Sequence, residues 1–344
     1  MKQLISLSLA VFMLFSCKEN APYSFIDLSN TVTLGSPETL IEFDETHPVW
    51  LTLKDSTVFI IQVQTDYCML AFNLKTKEVQ YFGHKGSGPE EFVGHPQFIK
   101  PQTGDLLVQD ANGIIKRVTE KNGTFSVEKV EYKYPKKLQQ DFSAGINFSD
   151  NFIVANYVNG EKMFYIYDKN IDSLIYADFY PKMNLESSTH PFINSIYAPS
   201  LGLNEKRNRI IAGMYYFDMF HVYDLSGKRI NSFRFSDNFL PDLNADDWQG
   251  SVGGFIPHTF PTENYCYLKR ITKISQSENN EKTQMILQVN WDGELIRAYK
   301  LQDDIAGFYI DEKNNKMYAI RNYVNKKDEE MFALVTYDLI PPTN

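Results

Sequence analysis

The sequence lacks the motifs by which the common catalytic classes are recognised. It contains no His-Glu-x-x-His, Gly-x-Ser-x-Gly or Cys-x-x-Cys segment, and no dinucleotide-binding glycine fingerprint joins a strand to a helix. The histidines are scattered, so we predict packed or loop side chains rather than metal ligands at His47, His84, His95, His190, His221 and His258. The sequence therefore predicts no metal site and no cofactor, and it leaves any catalytic residue unknown.

Cysteine is scarce as well, with 3 residues in a chain of 344. Cys68 and Cys266 lie far apart within apolar stretches, so we predict buried free thiols rather than a disulfide between them. Asp and Glu outnumber Lys and Arg by 43 to 34, the net charge is −9, and no long basic block occurs. Nucleic acid is therefore not an expected partner, because binding phosphates requires concentrated Lys and Arg.

Long apolar runs are absent except at the N-terminus, where the run is too short for a permanent membrane helix. Met1 and Lys2 precede an apolar run from Leu4 to Phe15 that two serines interrupt. A short positive start followed by such a run is typical of a signal peptide. We predict a signal peptide over residues 1–16.

The segment Leu14–Cys17 resembles the bacterial lipobox, in which an apolar residue and a small residue precede an acceptor cysteine. Phe15 departs from the small residue preferred at the second position. We predict cleavage before Cys17 and a thioether-linked lipid on its thiol, with an ordinary secretory signal as the alternative. Two or three acyl chains on Cys17 would hold the protein at a membrane, whereas one chain binds only marginally. Lys18 follows, and by resemblance to known sorting rules this favours the outer membrane of a bacterial envelope, on either face.

The rest of the chain repeats a pattern in which a β-rich run ends in a polar residue and a hairpin turn follows. Asp and Asn side chains accept hydrogen bonds from the turn backbone, while Gly227 and Gly293 supply positive φ where the chain reverses. No segment has convincing helical periodicity. Six copies, separated by 46, 49, 56, 66 and 48 residues, end at Asn73, Thr119, Asp168, Asp224, Asn290 and Asp338.

These intervals match four-stranded blades of about 40 to 50 residues with insertions in two of them. The chain is 43% hydrophobic and 14% aromatic, which is enough for a substantial core. We predict an all-β fold, a monomeric six-bladed β-propeller of four-stranded antiparallel blades over residues 38–340, with a tail at 341–344. Residues 17–37 are expected to form the lipidated tether, in which Phe25–Leu28 or Thr31–Leu34 completes the last blade and closes the ring.

A glycine-rich segment, Gly83–Phe92, is followed by an apolar strand and a Gly-Asp turn. This arrangement resembles the NHL-type propeller repeat, and we predict that its glycines turn the chain between blades while Phe92 fills the space between them. A phosphate cradle is the alternative, but Glu90 and Glu91 would repel phosphate. Residues 38–340 as a whole resemble the TolB-like and NHL-like six-bladed propeller lipoproteins of Bacteroidetes. The resemblance implies an architecture and an envelope location rather than a mechanism.

The insertion between Asp237 and His258 is the candidate binding loop. It carries Trp248, the acidic residues Asp246 and Asp247, and glycines at 250, 253 and 254. An aromatic side chain in a flexible loop can stack on a sugar or contact a partner protein. The alternative is a connection between blades whose aromatic residues pack on the ring. The insertion begins like a calcium loop but lacks the turn glycine and the bidentate glutamate, so no calcium site is predicted.

Two classes of function follow from this organisation. We favour a non-enzymatic module of the cell envelope, anchored to the membrane through Cys17, that binds a protein or a glycan with one propeller face. The alternative is a propeller hydrolase or lactonase, in which acidic and amide side chains around the central channel hold a divalent cation. Three or four oxygen ligands converging on the axis would support this alternative.

Overall fold

The structure is a computed structural model that describes residues 23–43, 46–63, 65–101, 104–130, 146–156, 162–181, 196–242, 252–273 and 282–340. Regular secondary structure in these ranges consists of 27 β-strands. They form six sheets, each with four antiparallel strands ordered from the axis to the rim. The predicted all-β, six-bladed propeller is confirmed. No helix in the described ranges is long and apolar enough to cross a membrane.

The first three blades follow one another along the chain, and in each the first strand named is innermost and the last is outermost. Blade 1 consists of β4 (His47–Lys54), β5 (Thr57–Val63), β6 (Tyr67–Asn73) and β7 (Val79–His84). Blade 2 consists of β8 (Gln97–Phe98), β10 (Leu107–Gln109), β11 (Ile115–Lys121) and β12 (Thr124–Lys129). Blade 3 consists of β13 (Asn147–Phe148), β14 (Phe152–Asn156), β15 (Phe164–Asp168) and β16 (Ser173–Ala177), and β9 (Lys100–Pro101) pairs in parallel with β13.

The second three blades complete the ring in the same order. Blade 4 consists of β17 (Pro199–Asn204), β18 (Arg209–Met214), β19 (Met219–Tyr223) and β20 (Arg229–Arg234). Blade 5 consists of β21 (Phe255–Pro261), β22 (Tyr265–Lys273), β23 (Lys282–Asn290) and β24 (Leu295–Leu301). Blade 6 consists of β25 (Asp304–Asp311), β26 (Lys316–Val324), β27 (Glu330–Asp338) and β3 (Glu38–Phe43).

Residues 23–43, which we call the rim strap, run along the outside of three blades before blade 1 begins. β1 (Ser24–Phe25) pairs in parallel with β20, and β2 (Val32–Thr33) pairs in parallel with β24. β3 then pairs antiparallel with β27 and closes the ring. The prediction that Phe25–Leu28 or Thr31–Leu34 completes the last blade was therefore wrong. Each of these segments supplies only two strand residues and lies on a blade that already has four strands, whereas β3 supplies six residues to a blade that has three.

The six repeated polar positions identified in the sequence occupy equivalent places in the fold. All lie at or within two residues of the end of the third strand of a blade. The Asp224 carboxylate accepts hydrogen bonds from the backbone N–H groups of Ser226 and Lys228, both at 3.0 Å. The Asn290 side-chain oxygen accepts from the N–H groups of Asp292 at 3.1 Å and Glu294 at 2.9 Å. These bonds satisfy the turn backbone locally, as the sequence predicts.

The hydrophobic core consists of six clusters, one between each pair of neighbouring blades. Phe92 is fully buried in the cluster between blades 1 and 2, which confirms its predicted place. Gly83 has φ +68°, and a Cβ there would lie 2.6 Å from the Phe92 ring, so only glycine fits. Cys68 and Cys266 are free and buried, as predicted.

Candidate functional site

A cavity of about 920 Å³ occupies the central channel of the ring. Residues from the innermost strands β4, β8, β17, β21 and β25 line it, and residues next to β13 complete the wall at blade 3. A cavity of this size accommodates a ligand of several hundred daltons. The channel is therefore the place where all six blades contribute to one surface.

Three aromatic side chains from three different blades meet in the wall of the channel. The Trp50 and His258 ring centroids lie 5.0 Å apart at an interplanar angle of 60°, and those of His258 and Phe308 lie 5.0 Å apart at 79°. Edge-to-face arrangements of this kind are favourable because the positive ring edge meets the negative face. Trp50 remains 37% exposed, so part of its ring faces the open channel.

Each of these three aromatic residues directly follows a break in strand register. The irregularities lie between Pro48 and Trp50 in β4, between Phe255 and His258 in β21, and between Ile305 and Phe308 in β25. A β-bulge interrupts the alternation of side chains and turns the next residue towards a different direction. The same local device in blades 1, 5 and 6 therefore brings three rings together, of which Phe308 is 1% exposed and packs in the core behind His258.

Two tyrosines from the turn after β18 extend the aromatic lining at the same end of the channel. The Tyr215 and Tyr216 ring centroids lie 4.6 Å apart, and Tyr215 also lies 6.1 Å from Phe255. Burial raises the pKa of the Tyr216 hydroxyl, which stays protonated as a hydrogen-bond donor at neutral pH. The amide side chains of Gln97 and Asn156 line the channel as well. We call this end, defined by Trp50, Tyr215, Tyr216, His258 and Phe308, the aromatic mouth.

The opposite end of the channel, where the innermost strands end, carries charged side chains. Lys206 and Glu263 form an exposed ion pair at 3.0 Å. The Glu312 carboxylate accepts hydrogen bonds from the Thr262 hydroxyl and, at 3.3 Å, from the Asn264 amide. In the part of the chain that the structure describes, no three His, Cys, Asp or Glu side chains form a group that could hold a metal ion.

The structure does not describe the residues that the sequence singles out as a site. Cys17, Asp246, Asp247 and Trp248 are outside the described residues, so their predicted roles stay predictions.

Two glycines of the same insertion, Gly253 and Gly254, are described, and both pack closely against buried groups. A Cβ on Gly253 would lie 2.7 Å from the Ser236 hydroxyl oxygen, and one on Gly254 would lie 2.8 Å from a carboxylate oxygen of Asp218. That carboxylate forms a buried bidentate pair with Arg270, with both contacts at 2.7 Å. These two glycines serve close packing and not a flexible loop.

Sequence reasoning missed the aromatic mouth. Alternating side chains are the signal that shows which residues of a strand face inwards, and the three bulges interrupt this alternation just before Trp50, His258 and Phe308. The remaining signal was an aromatic or histidine side chain in the first strand of several blades. It becomes informative only when the blade boundaries are known.

A family model described as TolB-like 6-blade propeller-like matches residues 31–313. The chain belongs to this TolB-like family. The resemblance to TolB-like six-bladed propellers is thereby confirmed, and the match includes all the residues named for the aromatic mouth. No curated protein sequence matches this TolB-like chain.

Solved structures resemble this TolB-like propeller in fold. A member of the DUF4221 family from Bacteroides vulgatus has a TM-score of 0.56 at 12% identity, covering 91% of this chain and 97% of that one. A protein from Bacteroides fragilis has a TM-score of 0.49 at 15% identity, with 91% and 98% covered. Regucalcin from Agrobacterium tumefaciens, a calcium-binding protein, has a TM-score of 0.48 at 10% identity, with 92% and 98% covered. At 12% identity the likeness to the DUF4221 structure concerns the fold alone.

Proposed function

We propose that this TolB-like propeller is a non-enzymatic binding module of the bacterial cell envelope, anchored through a lipid on Cys17, and that its aromatic mouth binds a glycan. The single observation that carries the binding role is the convergence of Trp50, His258 and Phe308 after bulges in three separate blades. Register irregularities also occur in the outer strands of blades 4, 5 and 6, but those beside the cavity redirect side chains of its lining, as bulges next to binding sites commonly do.

The chemistry of the aromatic mouth favours a glycan over a charged ligand. Apart from His258, the described residues that line this end are aromatic, aliphatic or uncharged polar. Aromatic rings pack against the C–H faces of a sugar, and tyrosine hydroxyls and amides hydrogen-bond to its hydroxyl groups. Gln97 and Asn156 provide such amides on the side of blades 2 and 3. Ordered polar groups at the edge of an apolar cavity are what fix the orientation of a bound ligand.

The binding proposal is tested with an array of defined oligosaccharides, followed by calorimetry on the tightest binder. Trp50→Ala is expected to weaken binding at least tenfold, because it removes the largest partly exposed ring of the mouth. Tyr81→Ala is the matched control, since Tyr81 is an exposed aromatic residue on the outermost strand of blade 1. Binding that Trp50→Ala leaves unchanged would contradict the proposed site. If no oligosaccharide binds and the mouth instead cross-links to an envelope protein, the ligand is a protein and not a glycan.

The anchor is tested separately from the ligand. The mass of the N-terminal peptide of the mature protein reports the lipid on Cys17, and Cys17→Ser is expected to move the protein out of the membrane fraction. Processing by the lipoprotein signal peptidase also predicts that globomycin causes the precursor to accumulate. A correctly cleaved protein with an unlipidated Cys17 would contradict the proposed anchor. It would not affect the proposal that the aromatic mouth binds a glycan.

A further inference from the structure

The rim strap brings the start of the described chain to the outer rim of the propeller. The Tyr23 ring packs 4.8 Å from Phe239 and 5.8 Å from Tyr180, measured between centroids, and β1 follows on the outermost strand of blade 4. Tyr23 is six residues after Cys17. Six extended residues span at most about 20 Å. A lipid on Cys17 would therefore keep this part of the rim within about 20 Å of the membrane surface.

The same part of the rim exposes apolar side chains. Phe25 is 57% exposed and Ile296 is 40% exposed, and both line a groove of about 360 Å³ between the rim strap and β24. Ile340 is exposed nearby, where its carbonyl accepts a 2.9 Å hydrogen bond from Arg297. The Arg234 guanidinium lies 5.5 Å from the Phe25 ring and is ion-paired with Asp237, and Asp27 and Glu294 line the groove as well, so polar side chains surround the apolar patch.

The rim strap occupies part of this backbone edge, at two of the six residues of β20 and two of the seven residues of β24. β1 and β2 pair with the C-terminal ends of β20 and β24, and the Ile26 and Leu34 N–H groups each donate to a rim carbonyl at 3.0 Å. A protein partner that adds a strand needs a free strand edge. A lipid surface needs only exposed apolar side chains with polar or cationic groups around them, because it forms no backbone ladder. Because β2 covers only two of the seven residues of β24, strand addition by a protein is an outcome of the test below. The short span from Cys17 to Tyr23 favours the lipid surface as the partner.

We propose that the rim of blades 4 and 5 rests on the lipid surface through Phe25, Ile296 and Ile340. The propeller then stands edge-on, with its channel axis parallel to the membrane and both ends of the channel open to ligands. This orientation rests on the proposed lipid at Cys17 and adds to it a defined contact surface. It also explains why the rim strap is paired to the blades rather than left as a longer tether.

The experiment places a photo-crosslinking benzoylphenylalanine at position 25 or 296 of the full chain in its native envelope. Position 81, on the opposite rim of the ring, is the matched control. Mass spectrometry of the adducts distinguishes lipid from protein. We expect lipid adducts at positions 25 and 296 at least fivefold above those at position 81. Equal yields at the three positions, or adducts at position 25 that are predominantly protein, would overturn the proposal.

The N-terminal peptide mass is measured on the same samples, so that failure of the anchor is separable from failure of the orientation. If Cys17 carries a lipid and the rim does not cross-link to lipid, the orientation is wrong and the anchor stands. If Cys17 carries no lipid, the mature chain is coupled through that thiol to a maleimide lipid in phosphatidylethanolamine–phosphatidylglycerol vesicles. In these vesicles we expect the same fivefold excess of lipid adducts at positions 25 and 296 over position 81. If this excess is absent, the proposed orientation is wrong.

Discussion

At the scale of single residues, buried polar groups fix the connections between blades. The Asp110 carboxylate is fully buried and accepts backbone hydrogen bonds from Val93 at 3.2 Å, Gly94 at 3.3 Å and Ala111 at 2.7 Å. Its charge is balanced by Lys116, whose ammonium lies 3.4 Å away and is also buried. Because the pair is surrounded by backbone donors and acceptors, it holds the glycine-rich connection between blades 1 and 2 in one conformation.

Phe92 is the apolar counterpart of that polar connection. Phe92→Ala is expected to lower the free energy of unfolding by about 3–5 kcal/mol, because it leaves a cavity between two blades. Val93→Ala is the control, since the neighbouring Val93 side chain is 58% exposed and its loss should change stability by less than about 0.5 kcal/mol. Urea unfolding of the wild-type protein, Phe92→Ala and Val93→Ala gives both changes in the free energy of unfolding. Equal effects at the two positions would show that Phe92 does not fill the space between the blades.

Lys269 gives the stability a specific pH dependence. Its ammonium is buried between blades 5 and 6 and donates to the carbonyls of Ile305 and, at 3.1 Å, Ala306. Burial lowers the pKa of Lys269 to about 8, with Asp304 opposing and Lys282 reinforcing the shift. Between about pH 8 and pH 10 the unfolded chain holds a proton that the folded chain has released. The free energy of unfolding therefore rises with pH in this window, by at most about 3 kcal/mol.

The measurement is urea unfolding at intervals from about pH 7 to pH 10. Lys269→Met is expected to lose the rise, while Lys206→Met, which removes an exposed lysine, keeps it. The window ends near pH 10 because burial raises the pKa of tyrosines such as Tyr267. Above about pH 10 these tyrosines ionise first in the unfolded chain, which lowers stability again. If the free energy of unfolding of Lys269→Met still rises with pH in this window, another titratable group causes the rise.

At the scale of elements, the hairpins depend on local interactions and the rim strap on distant ones. The Asn73 side-chain oxygen accepts from the N–H groups of Lys75 at 2.9 Å and Thr76 at 3.1 Å, so this turn is specified by adjacent residues. β1, β2 and β3 instead pair with strands that lie about 200 to 300 positions further along the chain. Nothing in the local sequence of the strap specifies these partners.

Truncation separates the contributions of the three strap strands. A chain that starts at residue 36 retains β3 and is expected to stay folded, with a loss of about 3–6 kcal/mol from the burial of Ile26 and Leu34. A chain that starts at residue 46 lacks β3, so β27 becomes an open edge and the ring loses its closure. We expect this chain to aggregate. Size-exclusion chromatography and hydrogen exchange of the β27 amides distinguish the two, and identical behaviour would contradict the assignment of β3 as the closing strand.

At the scale of the whole molecule, non-covalent packing holds the ring closed. The two described cysteines, Cys68 and Cys266, are free and lie within apolar clusters. Burial raises the pKa of the Cys68 thiol and so lowers its reactive thiolate fraction. The closing contacts are instead the β3–β27 ladder and the apolar cluster between blades 6 and 1.

Thiol chemistry tests this closure. In a Cys17→Ser background, we expect no thiol to react with Ellman's reagent in the folded protein and two to react in denaturant. A reducing agent should leave the unfolding midpoint unchanged. Val93→Cys in the same background is the positive control, because its exposed position should react at once. Rapid reaction of a native thiol would show that the blades open readily.

The sequence by itself determined the number of blades, the turn residues and the place of Phe92, because each depends on neighbours within a few positions. Only the tertiary structure decided that β3 closes the ring, since pairing across nearly the whole chain leaves no local signal. It also decided that Trp50, His258 and Phe308 share one mouth. Bulges in β4, β21 and β25 redirect these side chains, and only the closed ring brings the three strands together.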